Sequence, residues 1–120
     1  MRSVDTLKTY RFAMAIGQAV WSACQNMDRD GYYTVGRQLI RSADSVAANI
    51  SEGFGRHTFP ERIRFCHIAR GSVQESITWL EKAIDRDLLT EECGVELTDD
   101  FIRLRKMLNG YIRSLRRQIK

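Results

Sequence analysis

Apolar residues recur three and four positions apart in four successive segments of this chain, and little interrupts them. That spacing puts side chains on one face of an α-helix. In the first segment, roughly 5–28, the series is Phe12, Ile16, Val20, Cys24 and Met27, ended by Asp28-Arg29-Asp30-Gly31. In the second, roughly 33–54, Leu39, Ala43, Val46, Ala47, Ile50 and Phe54 fall within an arc of about 100°, and Gly53-Phe54-Gly55 reads as the stop. The third opens at Thr58-Phe59-Pro60-Glu61, a capping box with proline in the first turn, and carries Ile63, Cys66, Val73, Ile77, Leu80, Ile84 and Leu88. The fourth, roughly 90–119, carries Phe101, Leu104, Leu108, Tyr111, Leu115 and Ile119 behind an N-cap at Thr90. Gly94 is expected to weaken its first turns.

With 120 residues, one proline and eight glycines, the chain lacks the turn every ~8–12 residues of an all-β fold. Four helices of about 20–28 residues on short connections predict an all-α, antiparallel up-down-up-down four-helix bundle. One domain, 1–120, accounts for the whole sequence, with no repeat or linker. Cys24, Cys66 and Cys93 are odd in number, widely spaced and set among apolar neighbours, so neither a disulfide framework nor a zinc knuckle is expected. A reduced, cytoplasmic setting follows. The longest uncharged run, the 16 residues from Phe12 to Met27, is short of the ~18–20 apolar residues of a membrane span.

Charge is segregated along the chain. The formal net charge is +4. Residues 75–100 hold nine acidic and two basic side chains; residues 101–120 hold seven basic and no acidic ones. On the fourth helix Arg103, Lys106, Arg113, Arg117 and Lys120 share an arc of about 100° opposite the apolar stripe, flanked by Arg105 and Arg116. Solvated faces ordinarily mix both signs. A cationic strip of this kind suits successive phosphates of RNA or DNA, with weak sequence preference and strong salt dependence. An acidic protein surface is the alternative partner, and the 75–100 block of a neighbouring copy would serve as one. Plain solubility is the third reading. Arg56, His57, Arg62 and Arg64 make a smaller basic cluster that either extends the strip or complements helix ends.

The second helix carries Arg41, Ser45, Asn49 and Glu52 at spacings of four, four and three. Serine and asparagine are mediocre helix formers, so a polar stripe of this kind points to close approach of another helix. The third helix offers Arg70, Gly71, Ser72 and Glu75, with Arg70 in its apolar stripe. A partly buried network is expected, joining Arg41 to Glu75 and giving Glu52 either Arg70 or a backbone donor. No catalytic constellation emerges: Gly53-x-Gly55 lacks the following Lys-Ser/Thr of a phosphate loop, and Cys66 and His67, as neighbours, point apart on a helix. No metal, cofactor or enzymatic activity is expected. Trp79 lies off the main stripe and reads as an interface or second-core anchor.

The stretch Gln38-Leu39-Ile40-Arg41-Ser42-Ala43-Asp44-Ser45-Val46-Ala47-Ala48-Asn49-Ile50-Ser51-Glu52-Gly53-Phe54-Gly55-Arg56 resembles the signature of the 23S rRNA intervening-sequence (S23-like) proteins. The likeness continues in Ile68-Ala69-Arg70-Gly71-Ser72-Val73-Gln74-Glu75 and in Lys106-Met107-Leu108-Asn109-Gly110-Tyr111-Ile112. It spans roughly residues 10–115. Ser51, where alanine is commoner, and the Arg-rich tail are departures. The resemblance implies a homopentameric ring of four-helix protomers that contacts nucleic acid. A weaker likeness to the accessory variability protein of diversity-generating retroelements adds a reverse transcriptase as partner.

Overall fold

The computed structural model describes residues 4–119, and among them there is helix and no strand. Helix α1 is Val4–Cys24. Helix α2 is built from Arg29–Gly31, a wider π-helical stretch Tyr32–Gly36, and Arg37–Phe54, which run on without a break. Helix α3 is Phe59–Asp85 and α4 is Glu91–Arg117.

The helix starts follow from side-chain capping. Thr58 accepts the backbone N–H of Glu61, and Thr90 accepts that of Cys93. Asp28 accepts the N–H of Gly31 at 2.7 Å. Each satisfies a donor that the first turn leaves without an intrahelical partner. Asp28-Arg29-Asp30-Gly31 is therefore the opening of α2, about four residues earlier than its apolar pattern begins.

Cross-helix contacts fix the topology. Ser42 meets Ser76 and Ser45 meets Ser72, so α3 runs against α2. Gln74 meets Arg105 and Arg70 meets Asn109, so α4 runs against α3. Phe12 lies beneath Arg103, and Thr6 and Tyr111 line one cavity together, which pairs α4 with α1 at the opposite corner. The result is an antiparallel four-helix bundle, a rod of 51 × 21 × 19 Å.

The stripes become one core. Ile16, Val20, Leu39, Val46, Ile50, Val73, Leu80, Phe101, Leu104 and Leu108 pack together, and a smaller cluster of Ile63, Cys66, Tyr111, Ile112 and Leu115 closes one end. Two expectations change. Ile119 lies past the end of α4 and is 45% exposed, so the stripe ends at Leu115. Gly94 is buried where α3 comes so close that a methyl group would collide with Ile84. Its lack of a side chain lets the helices approach, and the first turn is held by the Thr90 cap. Gly53-Phe54-Gly55 does end α2, at Phe54 with Gly55 as the C-cap, and Gly53 serves a close approach as well: an added Cβ would sit 2.8 Å from Phe65 Cβ.

Candidate polyanion-binding surface

The alternating topology brings the α1–α2 and α3–α4 connections to the same end of the rod. Leu88 lies directly against Gly31 there, and Asp28, Asp30, Asp85, Asp87, Glu91 and Glu92 crowd that end. At the other end the α2–α3 connection meets the end of α4, gathering Arg56, Arg62, Arg64, Arg113, Arg116 and Arg117. The blocks of charge seen in sequence thus become opposite poles of the rod.

Helix α4 presents its cations as a ridge with two flanks. Arg103, Lys106, Arg113 and Arg117 are exposed. On the α1 side, Arg103 stacks over Phe12 with its guanidinium carbon 4.8 Å from the ring centre, while Arg113 and Arg117 line a shallow groove with Lys8. On the α3 side, Arg105 donates to Gln74 at 3.0 Å, and Arg116 acts electrostatically on His67. Among the described residues no carboxylate lies within ion-pair distance of any of these six cations. Lys120 lies outside the described residues.

The smaller cluster is engaged differently. Arg56 pairs with Glu52 at 2.8 Å and stacks over Phe65; Arg64 pairs with Glu61 at 3.1 Å and lies 5.1 Å from the same ring centre. Arg62 is half-buried, 5.4 Å from the ring centres of both Phe54 and Phe59, and donates through Nε to the Arg56 carbonyl at 3.0 Å. These contacts fasten the α2–α3 turn. Arg62 is first a structural residue.

The expected polar network is corrected in detail. Arg41 and Glu75 do meet, at 3.8 Å, but their side chains are 74% and 46% exposed, so this is a surface pair of little energetic weight. Glu75 also accepts from Trp79 Nε1 at 3.2 Å, which seats the partly buried indole against the core. Glu52 takes Arg56 and not Arg70. Asn49 donates to the Ser45 carbonyl of its own helix. The polar contact between α2 and α3 is serine on serine: Ser42 with Ser76 at 2.8 Å, buried, and Ser45 with Ser72 at 2.6 Å, half-buried. Small side chains allow this approach, as the stripe implied; the charges stay outside it. Gly71 faces open space and takes no part.

Arg70 finds neutral partners that sequence reasoning missed. Its Nη1 donates to Asn109 Oδ1 at 2.7 Å and its Nη2 meets His67 Nδ1 at 2.8 Å. The His67–Arg70 spacing of three was a readable local signal; Asn109, on another helix, offered none.

On the diagonally opposite face, α1 and α2 enclose an open groove of about 920 Å³ floored by Ala13, Gly17, Ala47 and Ala48. Asp44 borders it, its carboxyl pushed up from the ordinary range by burial. Burial raises the Cys24 and Cys66 thiols to about 11, opposite to what a nucleophile needs. Cys66 is in the core while His67 turns to Arg70, so the two form no pair. Among the described residues no group of three or more His, Cys, Asp or Glu could hold a metal ion, and no helix is long and apolar enough to cross a membrane.

These features define a class: small all-helical bundle proteins with strongly polarised surface charge. The chain belongs to the family of 23S rRNA-intervening sequence proteins, whose family model matches residues 5–110. Among solved structures, a protein of unknown function from the S23 ribosomal protein family of Bacteroides thetaiotaomicron superposes with a TM-score of 0.85 at 20% identity. The match covers 92% of this chain and 99% of that one, and shows a shared fold. No curated protein matches the sequence.

Proposed function

We propose that the protein is a non-catalytic, oligomeric scaffold that binds RNA or DNA through phosphate contacts from α4. The observation that carries this reading is the α4 ridge: six described cations, with no carboxylate among the described residues to neutralise them. Binding to phosphates releases condensed counterions, which gives such a surface its driving force without base readout. The family's description, which ties it to a 23S rRNA intervening sequence, supports RNA as the polyanion.

Self-association into a ring, a homopentamer by the family resemblance, is the second part of the proposal. The outer face of α1 supports it. Along its second half, after Lys8 and Arg11, the exposed residues Met14, Ala15, Gln18, Ala19, Trp21 and Ser22 carry no charge, in a sequence where 28% of residues do. Solvated helix faces seldom look like that, whereas interfaces do. Several ridges on one ring would bind a strand together more tightly than one ridge alone. The likeness to the retroelement accessory protein makes a reverse transcriptase the enzyme that such a scaffold would serve.

Titration of labelled RNA and DNA at several salt concentrations tests the reading. The expected result is a linear fall of log K with log salt. For single strands the slope drops by about 2 when Arg113, Arg116 and Arg117 become alanine, at about 0.7 for each phosphate no longer neutralised. No binding at low salt would refute it and leave a protein-only adaptor, its basic pole docked on an acidic partner. Light scattering tests the ring: a monomer at micromolar concentration contradicts it.

A further inference from the structure

Arg70 sits in the α3–α4 seam, half-buried, where the apolar stripe of α3 passes between Cys66 and Val73. Taking a guanidinium out of water normally calls for a carboxylate. Here both of its hydrogen-bond partners are neutral: Asn109 Oδ1 at 2.7 Å and His67 Nδ1 at 2.8 Å. A guanidinium keeps its proton, so Nδ1 is the acceptor and the neutral imidazole carries its hydrogen on Nε2. Arg116 of α4 is near enough to act on the same ring through its charge. The carboxylate of Glu61, one turn before Arg64, is already held by Arg64 at 3.1 Å. Two permanent cations and a titratable imidazole therefore converge with no anion among the described residues to balance them.

The seam continues toward Arg105, whose partner is again neutral, Gln74 at 3.0 Å. From Arg105 to Arg116 α4 advances about 16 Å, at ~1.5 Å per residue. A lone carboxylate would satisfy one point on that line; a polyanionic strand satisfies all of it. We propose that His67, Arg70 and Arg116 form a phosphodiester site for the strand bound by α4, tightened when the His67 imidazole takes up a proton. This rests on the nucleic-acid reading above.

The proton balance is simple. One proton comes from solvent to Nδ1, which can then no longer accept from Arg70. The freed Nη2–H and the new Nδ1–H are two donors side by side, suited to the oxygens of one phosphate. Burial first, then Arg70, then Arg116, push the His67 pKa below its ordinary value in the free protein. A bound phosphate opposes the two arginines and lifts it. Affinity accordingly rises as pH falls from above the bound-state value to below the free-state value, by about tenfold for each unit between them.

The test is NMR titration of the His67 ring resonances, with His57 as the second histidine for comparison, alone and with single-stranded oligouridylate at fixed salt. The expected result is a His67 pKa that rises on binding, and RNA affinity several-fold higher at pH 5.5 than at pH 7.5. In His67→Gln, where an amide oxygen still accepts from Arg70 but cannot titrate, that pH dependence is lost, with helical circular dichroism verifying the fold. RNA that binds with the His67 pKa unmoved, or with the same pH dependence in His67→Gln, overturns the site and leaves the scaffold reading standing. If RNA does not bind at low salt the scaffold reading fails, and inorganic phosphate then decides the cluster by itself. A raised His67 pKa in phosphate supports the site, and an unmoved one overturns it.

Discussion

Arg70 Nη1 and Asn109 Oδ1 lie 2.7 Å apart across the α3–α4 seam, a charge-assisted hydrogen bond beside the apolar packing that joins the two helices. A bond of this kind in a half-buried site is worth about 1.5–3 kcal/mol to the pair. Asn109→Ala and Arg70→Ala should each lower unfolding free energy in urea by about that amount. Together they should cost less than their sum, with about 1 kcal/mol of coupling. Strict additivity would show that the contact carries no stability.

Two glycines predict opposite signs. Gly71 is exposed on α3 with nothing within 4 Å of an added methyl group. Gly71→Ala should stabilise by about 0.5–1 kcal/mol through helix propensity alone. Gly53 is buried, with Phe65 Cβ at 2.8 Å and the Arg62 carbonyl at 3.3 Å from such a methyl. Gly53→Ala should destabilise, because overpacking of about 1–3 kcal/mol outweighs the same propensity gain. Thermal midpoints moving the same way in both variants would contradict the packing at α2–α3.

This contrast marks what the sequence carried. Periodicity at three and four residues set out the four helices and most of the core, because burial of one helix face is written directly in spacing. Caps at Thr58 and Thr90 were legible for the same reason: a side chain bonding its own helix start is a local event. Partner choice was not local. Glu52 and Arg70 both had several candidate partners, and geometry gave Glu52 to Arg56 and Arg70 to Asn109. The role of Gly94 was misread because propensity describes an isolated helix, whereas Ile84 of the neighbouring helix decides that position. Charge segregation could be counted in sequence; that it forms two poles depended on which connections share an end.

Alkaline pH should unfold the protein through its thiols. Cys24 and Cys66 are buried and their pKa values stand near 11, against 9.0 for an ordinary thiol. Between those values the unfolded chain releases protons that the folded chain retains, so stability is whole below pH 9 and declines toward pH 11. Each thiol contributes a slope of up to about 1.4 kcal/mol per pH unit. Urea unfolding from pH 8 to 11 measures it, and Cys66→Ala should flatten the decline by one thiol's share, whatever it costs in packing. An undiminished slope would assign the alkaline loss to other groups.

Arg62 and Arg117 should separate folding from binding, although both belong to the basic pole. Arg62 stacks against Phe54 and Phe59 and donates to the Arg56 carbonyl. Each ring contact contributes about 0.5–1 kcal/mol and the hydrogen bond a similar amount, so Arg62→Ala should lose about 1.5–3 kcal/mol of stability. Arg117 is exposed on the last turn of α4 with no carboxylate partner among the described residues. Arg117→Ala should leave stability within about 0.5 kcal/mol of the parent, while the salt slope of single-stranded RNA binding drops by about 0.7. Urea unfolding and the RNA titration on the same two variants give the comparison. If Arg62→Ala weakens RNA binding without loss of stability, its aromatic contacts are not holding the turn, and it belongs with the phosphate-facing cations.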